Sequence, residues 1–294
     1  MTEPMRLALM WTLQSQFAGY VSAAGEELPE LELVPREWGV SPIQKLLEGE
    51  AEYGVVAPVH LLTAGESARD LVLVALFMSR SPVRMIGLRD RVGTGLGPRE
   101  EKVRVGVWEG EDTELRAIAR RAGWSPDVVD WVPVDDELGA LMSGEVDYVQ
   151  GTTYNELPKI VEAAGGEDAV VAHDPREWDV DVAKDGIAVR RDHLERNRDQ
   201  VVRFIRGARA GWQRTLDDPQ AAADLVCAAA PDLDPAWERR QIDLLVRLFD
   251  PEQPLGQPRQ ADVDRAAHAA EAAGVPGSAA SVALDDGPWK EACA

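Results

Sequence analysis

The chain has 294 residues and carries 31 Lys plus Arg against 52 Asp plus Glu, a formal net charge of -21 at pH 7. This surplus of acids repels phosphate backbones, so we expect no nucleic acid among its partners. Hydrophobic residues make up 45% of the sequence, which is enough for a buried core and is typical of one large soluble domain or two lobes.

Neither a membrane span nor a cysteine framework is predicted. The longest apolar run, Leu71 to Met78, is far shorter than the ~20 residues of a spanning helix, so we expect no membrane insertion. The residues before Leu7 do not resemble an export signal, which predicts a cytoplasmic protein, or an extracellular or periplasmic one if a signal was removed. Cys227 and Cys293 provide neither a disulfide framework nor a cysteine metal site.

The first third of the chain alternates apolar strands with helices. Ser41, Pro42 and Gly49 fit the N-cap, first-turn and C-terminal positions of one helix. The run Leu71 to Met78 is typical of a strand covered on both faces. The pattern predicts strands at 6–11, 31–38, 53–57 and 71–78, and helices at 16–24, 42–48 and 60–66.

A glycine-rich segment at 88–101 interrupts this alternation. Its Gly93, Gly95 and Gly97 resemble a dinucleotide-binding loop only superficially, because Pro98 follows at once and no helix begins behind them. We therefore predict a flexible linker.

A second alternation follows, and then the pattern becomes helical. We predict strands at 103–108, 128–132, 146–150 and 170–171, helices at 113–122, 136–142 and 157–164, and a returning strand at 186–189. The final third predicts helices at 197–216, 219–229, 235–249 and 262–273.

These elements predict an α/β, bilobal architecture with two crossovers and a C-terminal helical tail. Lobe 1 takes 1–88 plus 187–294, lobe 2 takes 101–182, and the segments 89–100 and 183–186 form hinge crossovers. Ligands of open α/β sheets bind at the carboxyl ends of strands, so we expect the site in a cleft between the lobes.

Five segments in this order resemble one known family, the type II periplasmic binding proteins. More narrowly they resemble its branch for thiamine-pyrimidine precursors, riboflavin and sulfonates, which is NMT/THI-like and SsuA-like. The segments are WTLQSQFAGYVSAAGEELPELELVP, KLLEGEAEYGVVAPVHLL, VRVGVWEGEDTELRAIARRAGW, TTYNELPKI and VVRFIRGARAGWQRTLDDPQAAADLV.

The resemblance implies a Venus-flytrap fold that closes on a small aromatic nitrogen heterocycle and delivers it to the permease of an ABC importer. For a binding protein of this kind we expect a monomer without a cofactor. The same branch contains the eukaryotic enzyme that makes hydroxymethylpyrimidine phosphate. That enzyme has a lysine where this chain has Val56, and the chain lacks its cysteine-rich run, so pyridoxal phosphate cannot be held here as a Schiff base.

Aromatic residues are the first candidate ligand contacts. The resemblance places ligand-stacking rings at Trp11 and Phe17, while Trp38 and Trp108 end predicted strands. A heterocycle stacked on such a ring gains about 1–3 kcal/mol per face. For each single ring, a place in the core is the alternative.

Acidic residues follow Trp108. Among them we expect Glu109 to bind the ligand, and Asp112 and Glu114 to cap a helix or face solvent. Carboxylates at this position favour a neutral or cationic ligand over a phosphate or a sulfonate.

Further candidates follow later strands. Tyr154 can stack, Asn155 can donate and accept, and Glu156 can accept from an exocyclic amine, although Asn155 and Glu156 also suit a helix N-terminus. Asp185, just before the returning strand, either reaches the ligand or fixes the hinge.

His60 either binds the ligand, acts as a base or has a structural role at a helix start. The other histidines, His173, His193 and His268, show no metal-ligand spacing and are expected at the surface, so we predict no metal site.

Two functions fit these residues. We favour a binding protein, because no nucleophile and base stand at a recognisable spacing. The alternative is a cytosolic lyase, decarboxylase or dehydratase of vitamin or secondary-metabolite biosynthesis, with acid–base chemistry at His60, Glu109, Glu156 or Asp185.

Overall fold

The computed structural model describes residues 5–37, 39–108, 110–275 and 282–294. Its strands in chain order are β1 (Met5–Ala8), β2 (Leu31–Val34), β3 (Tyr53–Val56), β4 (Leu71–Met78), β5 (Val83–Leu88), β6 (Val103–Val107), β7 (Val129–Pro133), β8 (Tyr148–Thr152), β9 (Val170–His173), β10 (Lys184–Arg190) and β11 (Ala283–Leu284).

The helices are α1 (Ala18–Glu26), α2 (Pro42–Glu48), α3 (Pro58–Ala64), α4 (Arg89–Val92), α5 (Thr113–Arg121), α6 (Glu137–Ser143), α7 (Glu156–Ala163), α8 (Arg191–Arg196), α9 (Arg198–Asp217), α10 (Pro219–Ala229), α11 (Pro235–Leu245), α12 (Gln260–Ala273) and α13 (Gly287–Cys293).

The chain divides into two compact units. Unit 1 contains the residues up to Arg80, the segment Ala183–Val263 and the C-terminal residues from 282. Unit 2 contains Ser81–Val182 and the part of α12 that begins at Asp264. The strand β5, which falls within the predicted lobe 1, lies in unit 2 because its backbone pairs with β8 and β9.

The sheet of unit 1 has the order β11-β4-β10-β3-β1-β2. The strands β1, β2 and β3 are parallel, and β10 runs antiparallel to β3 and β4. The carboxyl ends of β1 and β3 and the amino end of β10 therefore meet at one edge, which we call the unit 1 edge. All eight residues of β4 are buried, as predicted for a doubly covered strand.

Close helix packing covers this sheet. The helix α1 crosses α9 where a Cβ atom on Gly211 would overlap the carbonyl oxygen of Gly19. Only glycine at 211 allows this approach, and it brings the Trp212 ring against Gly19. Tyr20, Phe77, Trp212 and Phe249 then form an aromatic cluster in the core.

The sheet of unit 2 has the order β7-β6-β8-β5-β9. Here β6, β7 and β8 are parallel, while β5 is antiparallel to both of its neighbours. The carboxyl ends of β6 and β8 define the unit 2 edge. Apolar residues of α6 and α7, including Leu141 and Ile160, bury one face of this sheet.

The predicted helix signals are confirmed at α2. The Ser41 hydroxyl accepts a hydrogen bond from the Gln44 N–H at 3.2 Å, Pro42 takes the first position, and Gly49 ends the helix with φ of 75°. The predicted C-terminal helices are present as α9, α10, α11 and α12.

The predicted flexible linker is held against unit 2 over part of its length. The Trp124 indole donates to the Gly97 carbonyl at 2.8 Å, and the Arg99 guanidinium lies over the Trp124 and Tyr148 rings. Residues 89–92 form α4 rather than a linker. These contacts depend on side chains far away in the sequence, which local composition does not report.

The surface location predicted for two histidines is wrong. His173 is 6% exposed and His193 is 3% exposed, because His173 ends β9 beside Tyr148 and His193 packs edge-on against Tyr53. Burial among aromatic rings lowers the pKa of His173, since the charged imidazolium loses hydration and Arg99 repels it.

Candidate functional site

The unit 1 edge brings together residues from distant parts of the sequence. Trp11 follows β1, Gln16 lies in the 3-10 turn Ser15–Phe17, and His60 lies in the first turn of α3. The pairing of Gly186 with Val56, the last residue of β3, places Asp185 one step past the end of that strand. The strand order therefore groups these side chains at the carboxyl ends of parallel strands, where ligands of open α/β sheets bind.

Asp185 is the least conventional residue at this edge. Its side chain is 0% exposed and its φ is 53°, a left-handed backbone conformation that costs free energy for a residue other than glycine. Oδ1 accepts a hydrogen bond from Gln16 Nε2 at 3.1 Å. Oδ2 is buried and accepts none from any described residue. Asp185 is therefore a buried carboxyl group in a strained backbone conformation, with one oxygen that no described donor meets.

The ionisation of Asp185 is shifted toward neutrality. Burial raises its pKa to about 7, against smaller opposing effects of the Gln16 hydrogen bond and the Lys184 charge. Burial, and then the nearby Asp185 charge, raise the pKa of the Tyr20 hydroxyl well above its usual value. Asp185 can therefore be present as a neutral acid or as a carboxylate near physiological pH.

His60 has a defined structural partner. Its Nδ1 accepts a hydrogen bond from the Ala57 backbone N–H at 3.3 Å, which caps the first turn of α3. Because Nδ1 is the acceptor, the proton of the neutral ring lies on Nε2. Asp185 precedes Gly186, the partner of Val56, and Ala57 follows Val56, so Asp185 lies at the end of the strand pair where α3 begins.

The predicted stacking aromatics of unit 1 lie in different environments. Trp11 is partly exposed, and the Arg36 guanidinium lies 5.5 Å from its ring centroid. Arg36 also donates to the Met10 carbonyl at 3.4 Å. Phe17 is 0% exposed and forms part of the core. Trp11 therefore offers a ring face at this edge, whereas the Phe17 ring is covered by protein.

The unit 2 edge is built around Trp108. Its backbone N–H donates to Gln150 Oε1 at 3.3 Å, and its indole Nε1 donates to the Glu137 carboxylate of α6. The Gln150 amide in turn donates to the Glu111 carbonyl at 3.0 Å. These bonds fix the orientation of the Trp108 ring at the end of β6.

The predicted residues after β8 form a closed local network. Glu156 Oε2 accepts hydrogen bonds from the Thr152 N–H and hydroxyl, each at 2.7 Å, and Oε1 accepts from Asn155 Nδ2 at 2.5 Å. Burial raises the pKa of Glu156, with a further contribution from the Glu137 charge. Tyr154 is 3% exposed. Asn155 takes the N-cap position of α7 without accepting a hydrogen bond there.

Two predicted contacts, Trp38 and Glu109, lie outside the described residues. Three polar residues at the two edges were not predicted as site residues, namely Gln16, Glu137 and Gln150. Glu137 begins a predicted helix just after a strand end, which is the signal that could have indicated it. Gln16 begins the predicted helix 16–24 and Gln150 ends the predicted strand 146–150, so the same signal was available for both.

No group of His, Cys, Asp and Glu side chains suited to a metal ion occurs among the residues that the structure describes. The described helices also contain none that is long and apolar enough to cross a membrane.

Comparison with known proteins identifies the family. The sequence profile named NMT1/THI5 like matches residues 18–222, which is more than half of the chain. The chain belongs to the NMT1/THI5-like family. The predicted resemblance is thereby confirmed at the level of this family. No curated protein matches the chain.

Solved structures resemble this NMT1/THI5-like protein over nearly its whole length. The zinc-bound ligand-binding component of an ABC-type import system from Staphylococcus aureus has a TM-score of 0.73 at 10% identity, covering 99% of each chain. The alkanesulfonate-binding protein SsuA from Xanthomonas axonopodis pv. citri, bound to MOPS, has a TM-score of 0.70 at 15% identity, covering 97% of this chain and 99% of that one.

The periplasmic nitrate-binding protein NrtA from Synechocystis PCC 6803 has a TM-score of 0.69 at 12% identity, covering 99% of this chain and 88% of that one. Identities this low establish the fold alone. The predicted fold class, the bilobal type II periplasmic-binding-protein fold, is confirmed.

Proposed function

We propose that this NMT1/THI5-like protein is the solute-binding protein of an ABC importer and binds a small nitrogen heterocycle of the thiamine-pyrimidine-precursor class. Relatives in the same fold include a ligand-binding component of an ABC-type import system and binding proteins for sulfonates and nitrate. A receptor of this kind acts outside the cytoplasmic membrane and has a permease as its protein partner.

The observation that carries the choice of ligand is the incomplete hydrogen bonding of Asp185. Its Oδ2 is buried without a described donor, and its Oδ1 accepts from Gln16. A ligand amine would supply the missing donor, and a charged amine would also stabilise the carboxylate. Trp11 at the same edge has a partly exposed ring on which a flat heterocycle can stack.

The charges at the unit 2 edge support the same class of ligand. Burial raises the pKa of Glu156, and the charge of the neighbouring Glu137 raises it further. Sulfonate and nitrate bear full negative charges, which two carboxylates repel, whereas an aminopyrimidine is neutral or cationic. In unit 1, the Arg36 guanidinium lies against the Trp11 ring and the Met10 carbonyl.

We include the two predicted lobes in this proposal. Ligand contacts made only in a closed state would drive closure about crossovers such as 183–186. Trp11, Trp38, His60 and Asp185 would then act from lobe 1, with Trp108, Glu109, Tyr154 and Asn155 from lobe 2. The predicted contacts Phe17 and Glu156 are left out, because the Phe17 ring lies in the core and both Glu156 oxygens are engaged locally.

Calorimetry with matched ligands tests this function. We expect an aminopyrimidine to bind and to raise the melting temperature, since a ligand at 100 times its Kd stabilises the folded state by about 2.7 kcal/mol. An alkanesulfonate and nitrate, each at the same concentration, should leave the melting temperature unchanged. Stabilisation by these anions alone would overturn the proposal.

One observation favours an enzyme as the second candidate. The pKa of Asp185 is raised to about 7. Asp185 lies at the end of the β3–β10 pair, where the His60 imidazole accepts a hydrogen bond from the Ala57 N–H. A carboxyl group that titrates near neutrality suits general acid–base chemistry. Mass spectrometry of the aminopyrimidine after prolonged incubation distinguishes the two functions, because a receptor returns its ligand unchanged.

A further inference from the structure

A residue of the C-terminal helices reaches the unit 1 edge through a buried chain of hydrogen bonds. Glu238, in the first turn of α11, is 2% exposed. Its Oε2 accepts from the Ser15 backbone N–H at 2.8 Å and from the Ser15 hydroxyl at 2.7 Å. The same hydroxyl is 3.1 Å from the Glu238 carbonyl oxygen. Ser15 and Glu238 are 223 positions apart, so local sequence does not account for this contact.

The other end of this series of hydrogen bonds is Asp185. Ser15 begins the 3-10 turn whose next residue, Gln16, donates to Asp185 Oδ1 at 3.1 Å. The turn has no side-chain cap of its own at Gln14, so Glu238 supplies its side-chain anchor. Ser15 and Asp185 are each 0% exposed and Gln16 is 7% exposed, which keeps water from competing for these bonds.

The second oxygen of Asp185 indicates that these hydrogen bonds do more than stabilise the packing. A carboxyl group held only to neutralise a buried donor would have both oxygens engaged, as Glu156 has in unit 2. In Asp185 one oxygen is held by Gln16, while the other is buried and meets no described donor. The anchored turn therefore sets which oxygen remains available.

We propose that Glu238 is a positioning residue, which through Ser15 places the Gln16 amide against Asp185 Oδ1 and leaves Oδ2 for a donor on the ligand. The inference rests on the proposed function for the ligand alone; the positioning itself is a property of unit 1. The groups that bear on Asp185 are Gln16, the Tyr20 hydroxyl of α1 and the Lys184 ammonium of its own strand.

Titration of Asp185 tests the positioning without a ligand. The 13Cγ signal of Asp185, assigned with Asp185→Asn, reports its midpoint by NMR. Loss of the Gln16 bond removes a stabiliser of the carboxylate, so Glu238→Ala should raise the midpoint by about 0.5–1 pH unit. Gln16→Ala should raise it equally, and the double variant should go no further because both changes break one chain.

Two control variants make this test decisive. Glu238→Gln keeps an oxygen that accepts from Ser15 and should retain most of the original midpoint, which also covers the case in which Glu238→Ala fails to fold. Glu52→Gln removes another buried carboxylate of unit 1, one that accepts from the Arg6 N–H, and should leave the midpoint unchanged. A midpoint that moves in Gln16→Ala but stays fixed in Glu238→Ala would overturn the inference.

Aminopyrimidine affinity forms the second arm of the test. We expect Glu238→Ala to weaken binding about tenfold, the equivalent of one lost hydrogen bond to a charged group, and Glu52→Gln to leave it unchanged. An unweakened affinity in Glu238→Ala, with the wild type binding, would overturn the role in ligand binding. If the wild type binds no heterocycle, the proposed function fails while the titration still decides the positioning.

Discussion

The two edges hold their carboxyl groups in opposite ways. In unit 1, Asp185 is completely buried, adopts a left-handed backbone conformation and has one oxygen that no described donor meets. In unit 2, Glu156 receives three hydrogen bonds from Thr152 and Asn155, all within four residues of it. The contrast shows that a carboxyl group at the end of a strand can keep one oxygen unengaged or use both oxygens to brace its own loop.

The largest expected effect concerns the buried charge of Asp185. Its pKa of about 7 in the folded protein exceeds the ordinary value of about 3.9 for an aspartate in an unfolded chain. The contribution of Asp185 to the free energy of unfolding is therefore fully present below pH ~4. It is lost as the pH rises through 7, because the carboxyl group ionises more readily in the unfolded chain. Asp185→Asn mimics the neutral acid and tolerates the positive φ.

We expect Asp185→Asn to exceed the wild type in unfolding free energy by about 4 kcal/mol at pH 8, with the gap closing toward pH 4. Urea unfolding across this range measures it, and Asp232→Asn, at an exposed position, serves as the control. A gap independent of pH would show that Asp185 is ionised throughout and would remove the contrast with Glu156.

A smaller loss of stability is expected in unit 2. Glu156→Ala leaves the Thr152 N–H and hydroxyl without their acceptor, at a cost of about 2 kcal/mol in unfolding free energy. Chemical denaturation measures this loss, and the exposed Glu167→Ala is the matched control. No loss in Glu156→Ala would mean that the network is not a brace, and would return Glu156 to the set of ligand acceptors.

Removing either of the two partly exposed tryptophans should weaken ligand binding, and this effect is smaller than the two changes in stability. Trp11→Ala or Trp108→Ala should weaken heterocycle binding by at least ~1 kcal/mol, the lower end of the range for one stacked face. Calorimetry checks this with the aminopyrimidine. Unchanged affinity in both variants would assign the two rings to packing.

The smallest effect separates the Trp108 ring from its hydrogen bond. Trp108→Phe keeps an aromatic face but removes the indole donor that Glu137 accepts, so we expect affinity to fall by less than in Trp108→Ala. Binding to the two variants, measured side by side, gives the comparison. An equal loss in both would show that orientation by Glu137 matters more than the ring itself.

Sequence patterns predicted much of the scaffold because its signals are local. The apolar run of β4 and the caps of α2 act within a few residues, and both predictions are confirmed. The family resemblance, carried by five segments in order, indicated the fold and is confirmed by the profile match over 18–222. The buried His173 and the anchored Arg99 were missed, since their partners come from distant segments.

The sequence by itself determined that acids and aromatic rings follow strand ends in both halves of the chain, because the residue patterns that indicate a strand and its end are local. Only the tertiary structure decided which of them remain available. At the unit 1 edge, the hydrogen bond between Gln16 and Asp185 joins residues 169 positions apart in sequence, and the one between Ser15 and Glu238 joins residues 223 positions apart. The hydrogen-bonding capacity of a buried carboxyl group depends on every donor that folding brings to it, and those donors are not its neighbours in sequence.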